Sequence, residues 1–566
     1  MKATKLTTLL FLLICSAVFA ATIAEQLTSI DDSKDAIKAA IEAKGVTVGS
    51  ALLASYSLKI SEITGGGEVA TAAWAGRPSD WLPMPDLPEG VERIAALFGV
   101  ASNSPNYVAF SCTGITEVNW GDGTATETVT SGVTAEHSYS YASMSASTTT
   151  SSGIRQAILV INPQAGQHIT TFTTNKTHSK MPSNGRNFFW LEMAFRCPAM
   201  TSIPALTINT RNLLAISWYG PVSFVDGSYM LSSLWGISAI PHLDTAGITT
   251  LAYFFRNNSA LTSVPMFDIA SSTLSYCLFD SCVALITVPA LNFSRNTNGT
   301  GIFNNCTSLA YTPPFNMAST TTSYRMFYNC TNITSIGDLD LRSATDFSEM
   351  FRSCGSLQIL PDMRMDSATS MAYMCMYCYS LQGVPPINAP KVTTLTNAFE
   401  DCWSLVSVPD LKVASATSLY RTFFNNQSLA TVTIYAPSVN YMVETFRQCS
   451  SLESLPMMDT SNVANFYAVC YGDTKLKNVP AWNMSSATEL GYAFGNCPAL
   501  ESFAAYGARY PLGLASCNLS ASAINTVFTN LGNAISPGAT AITVSGNPGY
   551  ATCDPSIATA KGWVVN

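Results

Sequence analysis

Apolar positions recur with a fixed period along the middle of the chain. Between Met326 and Leu357 the sequence Met-Phe-x-x-Cys-x-x-aliphatic occurs twice, which places Cys330 and Cys354 24 residues apart. Steps of 24 residues, and one of 23, pick out one residue per repeat, which we call the ladder position: Leu234, Asn258, Cys282, Cys306, Cys330, Cys354, Cys378, Cys402, Asn426, Cys449, Asp473 and Cys497. Upstream, Cys197 is expected to hold the same position. Self-similarity at this period predicts a solenoid.

The residues around the ladder position predict what one coil looks like. A phenylalanine lies three residues before it in most repeats, for example Phe279, Phe303, Phe327 and Phe351. An aliphatic residue follows three after it, and an aliphatic-proline pair six and seven after it. Since proline cannot lie inside a helix in every repeat, we expect a helical or 3₁₀ turn around Phe-x-x-Cys and a short extended segment around the proline.

One coil cannot bury its Phe, Cys and Leu alone. Stacking the coils at about 4.8 Å, the strand spacing, aligns each position with its equivalent and forms ladders. In such a ladder a buried thiol is a small apolar filler with a weak donor. Asn258, Asn426 and Asp473 fit the same position because they can bond a neighbouring backbone group.

The repeat pattern resembles the leucine-rich repeats of the BspA type, which occur in bacterial surface proteins and in some phage virion proteins. The resemblance implies a repeat solenoid of the leucine-rich-repeat type, α/β with one short strand per 24-residue coil. We expect about 13 repeats in residues 190–510 and a C-terminal cap in residues 511–566, since an open end coil needs covering.

A different segment precedes the repeats. It contains Val-Asn-Trp-Gly-Asp-Gly followed by His-x-Tyr, and resembles a PKD-like β-sandwich module at Trp120, Gly121, Asp122, Gly123, His137 and Tyr139. Asp-Gly suits a left-handed turn between strands. We therefore expect a small all-β sandwich in residues 90–185.

The N-terminus leaves three interpretations open. Residues 1–20 have lysines, an apolar core and small residues at the end, which is typical of a secretory signal; the apolar run is also just long enough for an uncleaved anchor. The pattern of residues 21–65 predicts a helical attachment segment, and this segment resembles the start of many tailed-phage structural proteins. If the chain is such a protein, the apolar residues 1–20 are an artefact of an upstream start site and are absent from the natural product.

Composition excludes several classes of function. Of the 566 residues, 47% are hydrophobic and only 11% charged, with a net charge of −8. No run of Lys or Arg offers the basic stripe of a nucleic-acid-binding protein. The four histidines, His137, His168, His178 and His242, show no metal-ligand spacing. We expect neither an enzyme nor a cofactor.

The 16 cysteines would suggest disulfides in an exported protein. A continuous ladder of equivalent positions gives no reason for pairing two by two, so we expect buried free thiols. Cys375 and Cys378 form a Cys-x-x-Cys pair, which we interpret as a cysteine in the Phe position beside a ladder cysteine. Cys517 and Cys553 are the pair best placed for a disulfide.

Two groups of residues are candidate binding sites. Tyr373, Tyr377, Tyr379 and Trp403 crowd two adjacent repeats, where paired aromatics offer a contact for a sugar or a protein; alternatively they pack the outer rim. Asp338 and Asp362 share a phase in adjacent coils and could hold calcium, or form a solvated acidic face.

These features together predict a non-catalytic recognition or adhesion protein, found in a virion or at a cell surface. The first hypothesis is a phage fibre or appendage that binds a host surface through the solenoid. The alternatives are a secreted or anchored bacterial adhesin, and a structural virion protein without a receptor role. Expected partners are a cell-surface glycan or protein receptor, and other virion proteins or copies of the chain through the N-terminal segment, with no nucleic acid.

Overall fold

The computed structural model describes residues 76–181, 189–201, 212–220 and 223–566. The predicted signal-like segment 1–20 and the helical segment 21–65 lie outside these residues. All described residues belong to one compact unit, Ala73–Asn566.

An all-β sandwich comes first, as predicted. Its strands are β1 (Arg93–Val100), β2 (Asn106–Cys112), β3 (Thr116–Asn119), β4 (Glu127–Val129), β5 (Thr134–Tyr139), β6 (Arg155–Pro163), β7 (Phe172–Thr173), β8 (Trp190–Arg196) and β9 (Ala215–Trp218). The larger sheet has the order β4-β3-β6-β1-β8-β9 and the smaller one β5-β2-β7. Two 3₁₀ turns, Tyr141–Ser143 and Ala146–Thr148, precede β6.

The Trp-Gly-Asp-Gly segment and the His-x-Tyr strand meet in the sandwich. Trp120 stacks on His137 with ring centroids 4.7 Å apart, and the Tyr139 hydroxyl donates to the Trp120 carbonyl at 2.7 Å. His137 Nε2 lies 2.7 Å from Asp122 Oδ2. Gly121 has φ +75° and an added Cβ would lie 2.2 Å from the Ile158 carbonyl oxygen, so only glycine fits there. These contacts therefore join the end of β3, in the larger sheet, to β5, in the smaller sheet.

Strand β8 links the sandwich to the solenoid. It pairs antiparallel with β1 on one side and parallel with β9 on the other. Strand β9 in turn forms parallel bridges to Ala239 and Leu243. Cys197, at the end of β8, points its thiol at the Arg93 carbonyl, 3.7 Å away in the sandwich. Its predicted place in the cysteine ladder was wrong, because its thiol bonds a carbonyl of the sandwich and not the carbonyl of a preceding coil.

The solenoid is confirmed, with coils stacked through parallel pairing. One ladder of bridges joins successive coils through Asp226, Thr250, Leu274, Asn298, Thr322, Asp346, Ser370, Thr394, Ser418, Tyr441, Asn465 and Glu489. Short strands near the proline positions form further ladders: β10 (Tyr311–Thr312), β11 (Phe315–Asn316), β12 (Ser335–Ile336), β13 (Leu339–Asp340), β14 (Ile387–Asn388), β15 (Ser407–Lys412), β16 (Thr431–Tyr435), β17 (Asn478–Val479) and β18 (Ser502–Phe503).

The helical or 3₁₀ turn predicted around Phe-x-x-Cys was wrong, since no helix occurs in residues 223–520. The segment is a run of turns in which backbone N–H groups alternate in direction. In one coil, the N–H of Phe327 donates to Met350 in the next coil at 2.9 Å, whereas that of Cys330 donates to Phe327 at 3.2 Å. The residues five and one before the ladder position adopt left-handed φ. In the coil of Cys330 these residues are Arg325 (53°) and Asn329 (58°).

The side chains at the ladder position lie in the core and donate hydrogen bonds to the preceding coil. The thiols of Cys282, Cys306, Cys330, Cys354, Cys378, Cys402, Cys449 and Cys497 donate over 3.0–3.2 Å to the carbonyl three residues before the preceding ladder position. Asn258 and Asn426 donate to the same carbonyl through Nδ2, at 2.7 and 2.9 Å. Beside them the rings of Phe279, Phe303, Phe327 and Phe351 stack with centroids 5.2–5.8 Å apart.

The C-terminal segment covers the last coil. Helix α1 (Ala521–Asn530) is capped by Ser520 and buries Ile524, Val527 and Phe528. It is followed by a 3₁₀ turn (Tyr550–Thr552) and α2 (Ser556–Thr559). Strands β19 (Leu512–Gly513), β20 (Ala541–Thr543) and β21 (Val564–Val565) form a parallel sheet. Cys517 and Cys553 are free thiols here. Within the described ranges, no helix has the length and apolar character needed to cross a membrane.

Candidate recognition surface

Aromatic side chains concentrate on one side of the solenoid, formed by residues from six before to one after each ladder position. We call this side the turn face. Of the fifteen tyrosines from Tyr229 to Tyr492, it carries twelve: Tyr229, Tyr253, Tyr276, Tyr324, Tyr328, Tyr373, Tyr377, Tyr379, Tyr420, Tyr467, Tyr471 and Tyr492. The turn face makes up only about a third of each coil, so this distribution is strongly biased.

Arginine and carboxylate side chains alternate among these rings. The ion pairs join neighbouring coils: Arg256–Asp280 at 2.9 Å, Arg325–Glu349 at 3.0 Å, Arg421–Glu400 at 3.1 Å and Arg421–Glu444 at 3.3 Å. Within their own coils, Arg352 contacts Glu349 and Arg447 contacts Glu444. Each of these guanidinium groups therefore has a carboxylate partner, and the turn face carries no excess positive charge for a polyanion.

The four aromatic residues singled out by the sequence lie together on the turn face, around Arg352. Its guanidinium carbon lies 5.5 Å from the ring centroid of Tyr373 and 5.9 Å from that of Tyr377. The rings of Tyr377 and Tyr379 are 6.1 Å apart, and those of Tyr379 and Trp403 are 4.5 Å apart. We call Tyr373, Tyr377, Tyr379 and Trp403 the aromatic patch.

The two most exposed members of the patch are held in place. Tyr379 and Trp403 are 40% and 45% exposed. Trp403 donates from Nε1 to Asp401 at 3.0 Å. Tyr379 packs beside Gly355, where an added Cβ would lie 3.5 Å from the ring. The planes of the two rings are tilted by 38° to each other, so each ring covers part of the other.

Asp338 and Asp362 are both exposed on adjacent coils. Their backbone carbonyls accept hydrogen bonds of 3.1 Å from Phe315 and Leu339, which continues the ladder. In the part of the chain that the structure describes, no group of three or more His, Cys, Asp or Glu side chains gathers where it could hold a metal ion. The calcium hypothesis for this pair thus lacks a third carboxylate among the described residues.

Ser138, His178 and Glu136 in the sandwich resemble a hydrolytic triad at first sight. Ser138 Oγ lies 3.3 Å from His178 Nε2, and Glu136 lies 3.7 Å from Nδ1. However, the backbone N–H of Lys180 donates to Nδ1 at 3.0 Å. Nε2 of the neutral ring must then carry the proton, so it cannot accept one from Ser138. Burial also lowers the pKa of His178. This arrangement does not activate a nucleophile.

Cys375 and Cys378 are fully buried free thiols. Cys375 occupies the Phe position, and its carbonyl accepts from the thiol of Cys402 at 3.2 Å. Burial raises the pKa of Cys375 well above its usual value. A thiol that is inaccessible and uncharged is a poor nucleophile and a poor metal ligand, so this pair packs the core.

The sequence carries a signal for the charged part of the turn face, namely opposite charges one repeat apart. Arg256 and Asp280, and likewise Arg325 and Glu349, are separated by 24 residues, which is one full repeat. Opposite charges at that separation are brought side by side by coil stacking. The Arg421–Glu400 pair, at 21 residues, could only be found from the structure.

Comparison with known families agrees with the repeat pattern. Residues 371–501 match the BspA type leucine rich repeat region, in six copies. Residues 277–385 match the family described as Mycoplasma protein of unknown function, DUF285. A search of curated proteins finds no match.

Several solved structures are similar in part. The functional domain of InlJ from Listeria monocytogenes, which includes a cysteine ladder, is 13% identical over 62% of this chain and 74% of its own, with a TM-score of 0.22. A leucine-rich repeat protein from Eubacterium ventriosum is 13% identical over 58% and 92%, with a TM-score of 0.26. The plant peptide hormone receptor RGFR1 in complex with RGF2 is 13% identical over 69% and 71%, with a TM-score of 0.20. At these values the likenesses carry no argument about function.

Proposed function

We propose that this chain is a non-catalytic recognition protein that binds a protein on a cell surface through the turn face, with the aromatic patch at the centre of the contact. The observation that carries the proposal is the concentration of tyrosine, tryptophan and arginine on one side of a rigid solenoid. These three residue types dominate binding energy in protein interfaces. The BspA type match of residues 371–501 supports an adhesive role.

The geometry of the patch favours a protein over a glycan. A sugar ring stacks on an open aromatic face, whereas Tyr379 and Trp403 cover each other at 4.5 Å. The arginines of the turn face are neutralised by carboxylates, so a strongly anionic polymer gains little from it. A protein surface that offers hydrogen bonds and apolar contacts fits both properties.

The test is binding of the labelled full chain to intact cells. We expect replacement of both Tyr379 and Trp403 by serine to weaken binding at least about thirtyfold, the effect of losing about 2 kcal/mol at a hot spot. The matched control is Tyr435→Ser, because Tyr435 is 59% exposed but lies outside the turn face. Equal affinities of the double variant and the wild type would refute the proposal.

Treatment of the cells separates the two kinds of partner. If mild proteolysis of the cell surface abolishes binding and periodate oxidation of its glycans does not, the partner is a protein. The reverse result assigns the partner to a glycan and overturns that part of the proposal. Circular dichroism of each variant checks that the fold is retained.

We further propose that the chain acts as a fibre or appendage of a phage virion, attached through residues 21–65, with the PKD-like sandwich as a spacer. The repeat type and the N-terminal resemblance support this assignment. The signal-like residues 1–20 favour the alternative, an exported bacterial adhesin. Mass spectrometry of the native N-terminus separates them: a chain that begins near Thr22 in purified virions, with no longer precursor, supports the fibre, and a chain that begins near Ala21 in culture supernatant supports the adhesin.

A further inference from the structure

A cavity of about 500 Å³ lies at the junction between the sandwich and the start of the solenoid. The sandwich contributes Glu89, Glu92 and His168 to its lining, the end of β8 contributes Arg196, and the segment after β9 contributes Asp244. The volume is within the range of about 300–1,000 Å³ that is usual for small-molecule sites in proteins. None of these residues belongs to the turn face, so the cavity is a second candidate site.

Arg196 is held in place at the cavity but keeps unused donors. Its Nε donates to the Leu87 carbonyl at 2.7 Å, and its guanidinium carbon lies 5.6 Å from the ring centroid of Tyr219. Within the described ranges its two Nη groups make no hydrogen bond and no ion pair. A Cβ added to Gly220 would lie 3.5 Å from Nη1, so the absence of a side chain there leaves this donor accessible. Two open Nη groups match the two oxygens of a carboxylate.

Asp244 lines the same cavity and is not paired with Arg196. Its Oδ2 accepts from the N–H of Gly220 and lies 3.2 Å from Nε2 of His242, whereas Oδ1 bonds no residue that the structure describes. Burial alone would raise the pKa of Asp244, but the hydrogen bonds from His242 and Gly220 bring it below its usual value. The carboxylate is therefore charged at neutral pH. Opposite charges that share a cavity without pairing fit a ligand that carries both complementary groups.

Carboxylates outnumber cations in the rest of the lining. Both oxygens of Glu92 are engaged, one of them 2.9 Å from Nδ1 of His168. Glu89 is exposed, and among the described residues it has no hydrogen-bond or ion-pair partner. With Glu92 and His168 counted as a neutral pair, the carboxylates of Glu89 and Asp244 face the one guanidinium group of Arg196. The cavity therefore favours a ligand with a net positive charge.

We propose that this cavity binds a basic α-amino acid, such as lysine or arginine. The carboxylate of the ligand accepts from the Nη groups of Arg196, its α-ammonium group donates to Oδ1 of Asp244, and the cation of its side chain lies toward Glu89. Because the site lies apart from the turn face, binding here does not depend on the function proposed above.

The first test measures binding of L-lysine and three analogues to the full wild-type chain by isothermal titration calorimetry. Cadaverine lacks the carboxylate and Nα-acetyl-lysine lacks the α-ammonium charge, so we expect each to bind at least about tenfold more weakly, having lost a hydrogen bond between charged groups. Norleucine lacks the side-chain cation and should lose about threefold, since Glu89 is exposed. No saturable binding of L-lysine or L-arginine, or equal affinities for L-lysine and cadaverine, would overturn the proposal.

Variants then locate the site. Asp244→Asn should weaken L-lysine binding at least about tenfold and leave the affinity for Nα-acetyl-lysine unchanged, because that analogue has no α-ammonium group to lose. Arg196→Gln should weaken L-lysine binding and leave cadaverine binding unchanged. If Arg196→Gln does not fold, the analogue series and Asp244→Asn still decide the question. The matched control is Arg364→Gln, an exposed arginine outside the cavity, which should bind as the wild type does. Equal affinities of Asp244→Asn and the wild type for L-lysine would refute the assignment.

Discussion

Oδ1 of Asp473 accepts a hydrogen bond from the backbone N–H of Cys449, 2.8 Å away in the preceding coil. Asn258 and Asn426 make the same bond at their own ladder positions, and they also donate from Nδ2 to a carbonyl. Oδ2 of Asp473 is buried without a hydrogen-bond partner. A charged carboxylate has no proton to donate, so it cannot replace the amide donor of the asparagines. Burial disfavours the charged form and raises the pKa of Asp473 well above its ordinary value.

The first prediction concerns Asp473→Asn. The amide restores the missing donor, so we expect the free energy of unfolding at pH 7 to rise by about 1–3 kcal/mol, the cost of an unpaired buried polar group. The stabilising contribution of neutral Asp473 is complete below its unfolded pKa of 3.8 and is lost as the pH rises through the folded value. The gain should therefore be larger at pH 8 than at pH 4 in urea unfolding. Asn426→Asp, the converse change, should destabilise, and a gain independent of pH would contradict this account.

Glu349 gives the opposite dependence on pH. Burial alone would raise its pKa, but hydrogen bonds from Arg325 and Arg352 hold it below the usual range. The stability it contributes is present above its unfolded pKa of 4.5 and is lost as the pH falls through the folded value. We expect Glu349→Gln to cost about 1–2 kcal/mol at pH 7, as for a partly exposed charged hydrogen bond. Thermal unfolding at pH 7 and pH 3 checks it: the variant and the wild type should converge at the lower pH.

Backbone conformation predicts the outcome at Ser353, whose φ is +65°. A β-branched side chain clashes in the left-handed region, so Ser353→Val should cost about 1–2 kcal/mol. Ser353→Gly should be close to neutral, because glycine adopts this conformation freely. The thermal midpoints of the two variants are compared with that of the wild type. Equal midpoints for Val and Gly would mean that the turn does not require left-handed backbone.

Thiol reactivity tests the free cysteine ladder. Among the described cysteines, Cys277 and Cys553 are half-buried and the others are buried. Burial raises the pKa of Cys282 to about 12 and that of Cys330 further, so these groups stay protonated and unreactive. At pH 8 we expect a thiol reagent to modify Cys277 and Cys553 first, and the ladder only in denaturant. Rapid labelling of Cys330 in the native protein, located by peptide mapping, would exclude this arrangement.

Much of the solenoid could be predicted because its period is written in the spacing of apolar residues. Phe327 and Cys330 recur one period later as Phe351 and Cys354, and equivalent residues in stacked coils must become neighbours. The local conformation was missed, because a three-residue separation of Phe and Cys suits a helical turn and also the turns that occur here. No glycine marks the left-handed residues Arg325 and Asn329.

The aromatic patch was predictable to the extent that Tyr379 and Trp403 share a phase. The charge network around Arg421 was not, because its partners come from the coils on both sides. The order of residues along the chain was enough to identify the repeat, the members of the core ladder and the absence of a basic stripe. The folded chain was needed to establish that β8 joins both parts, in which direction each N–H points in the turns, and that Glu400 is buried. Those features depend on how neighbouring coils satisfy each other's polar groups, which no single repeat specifies.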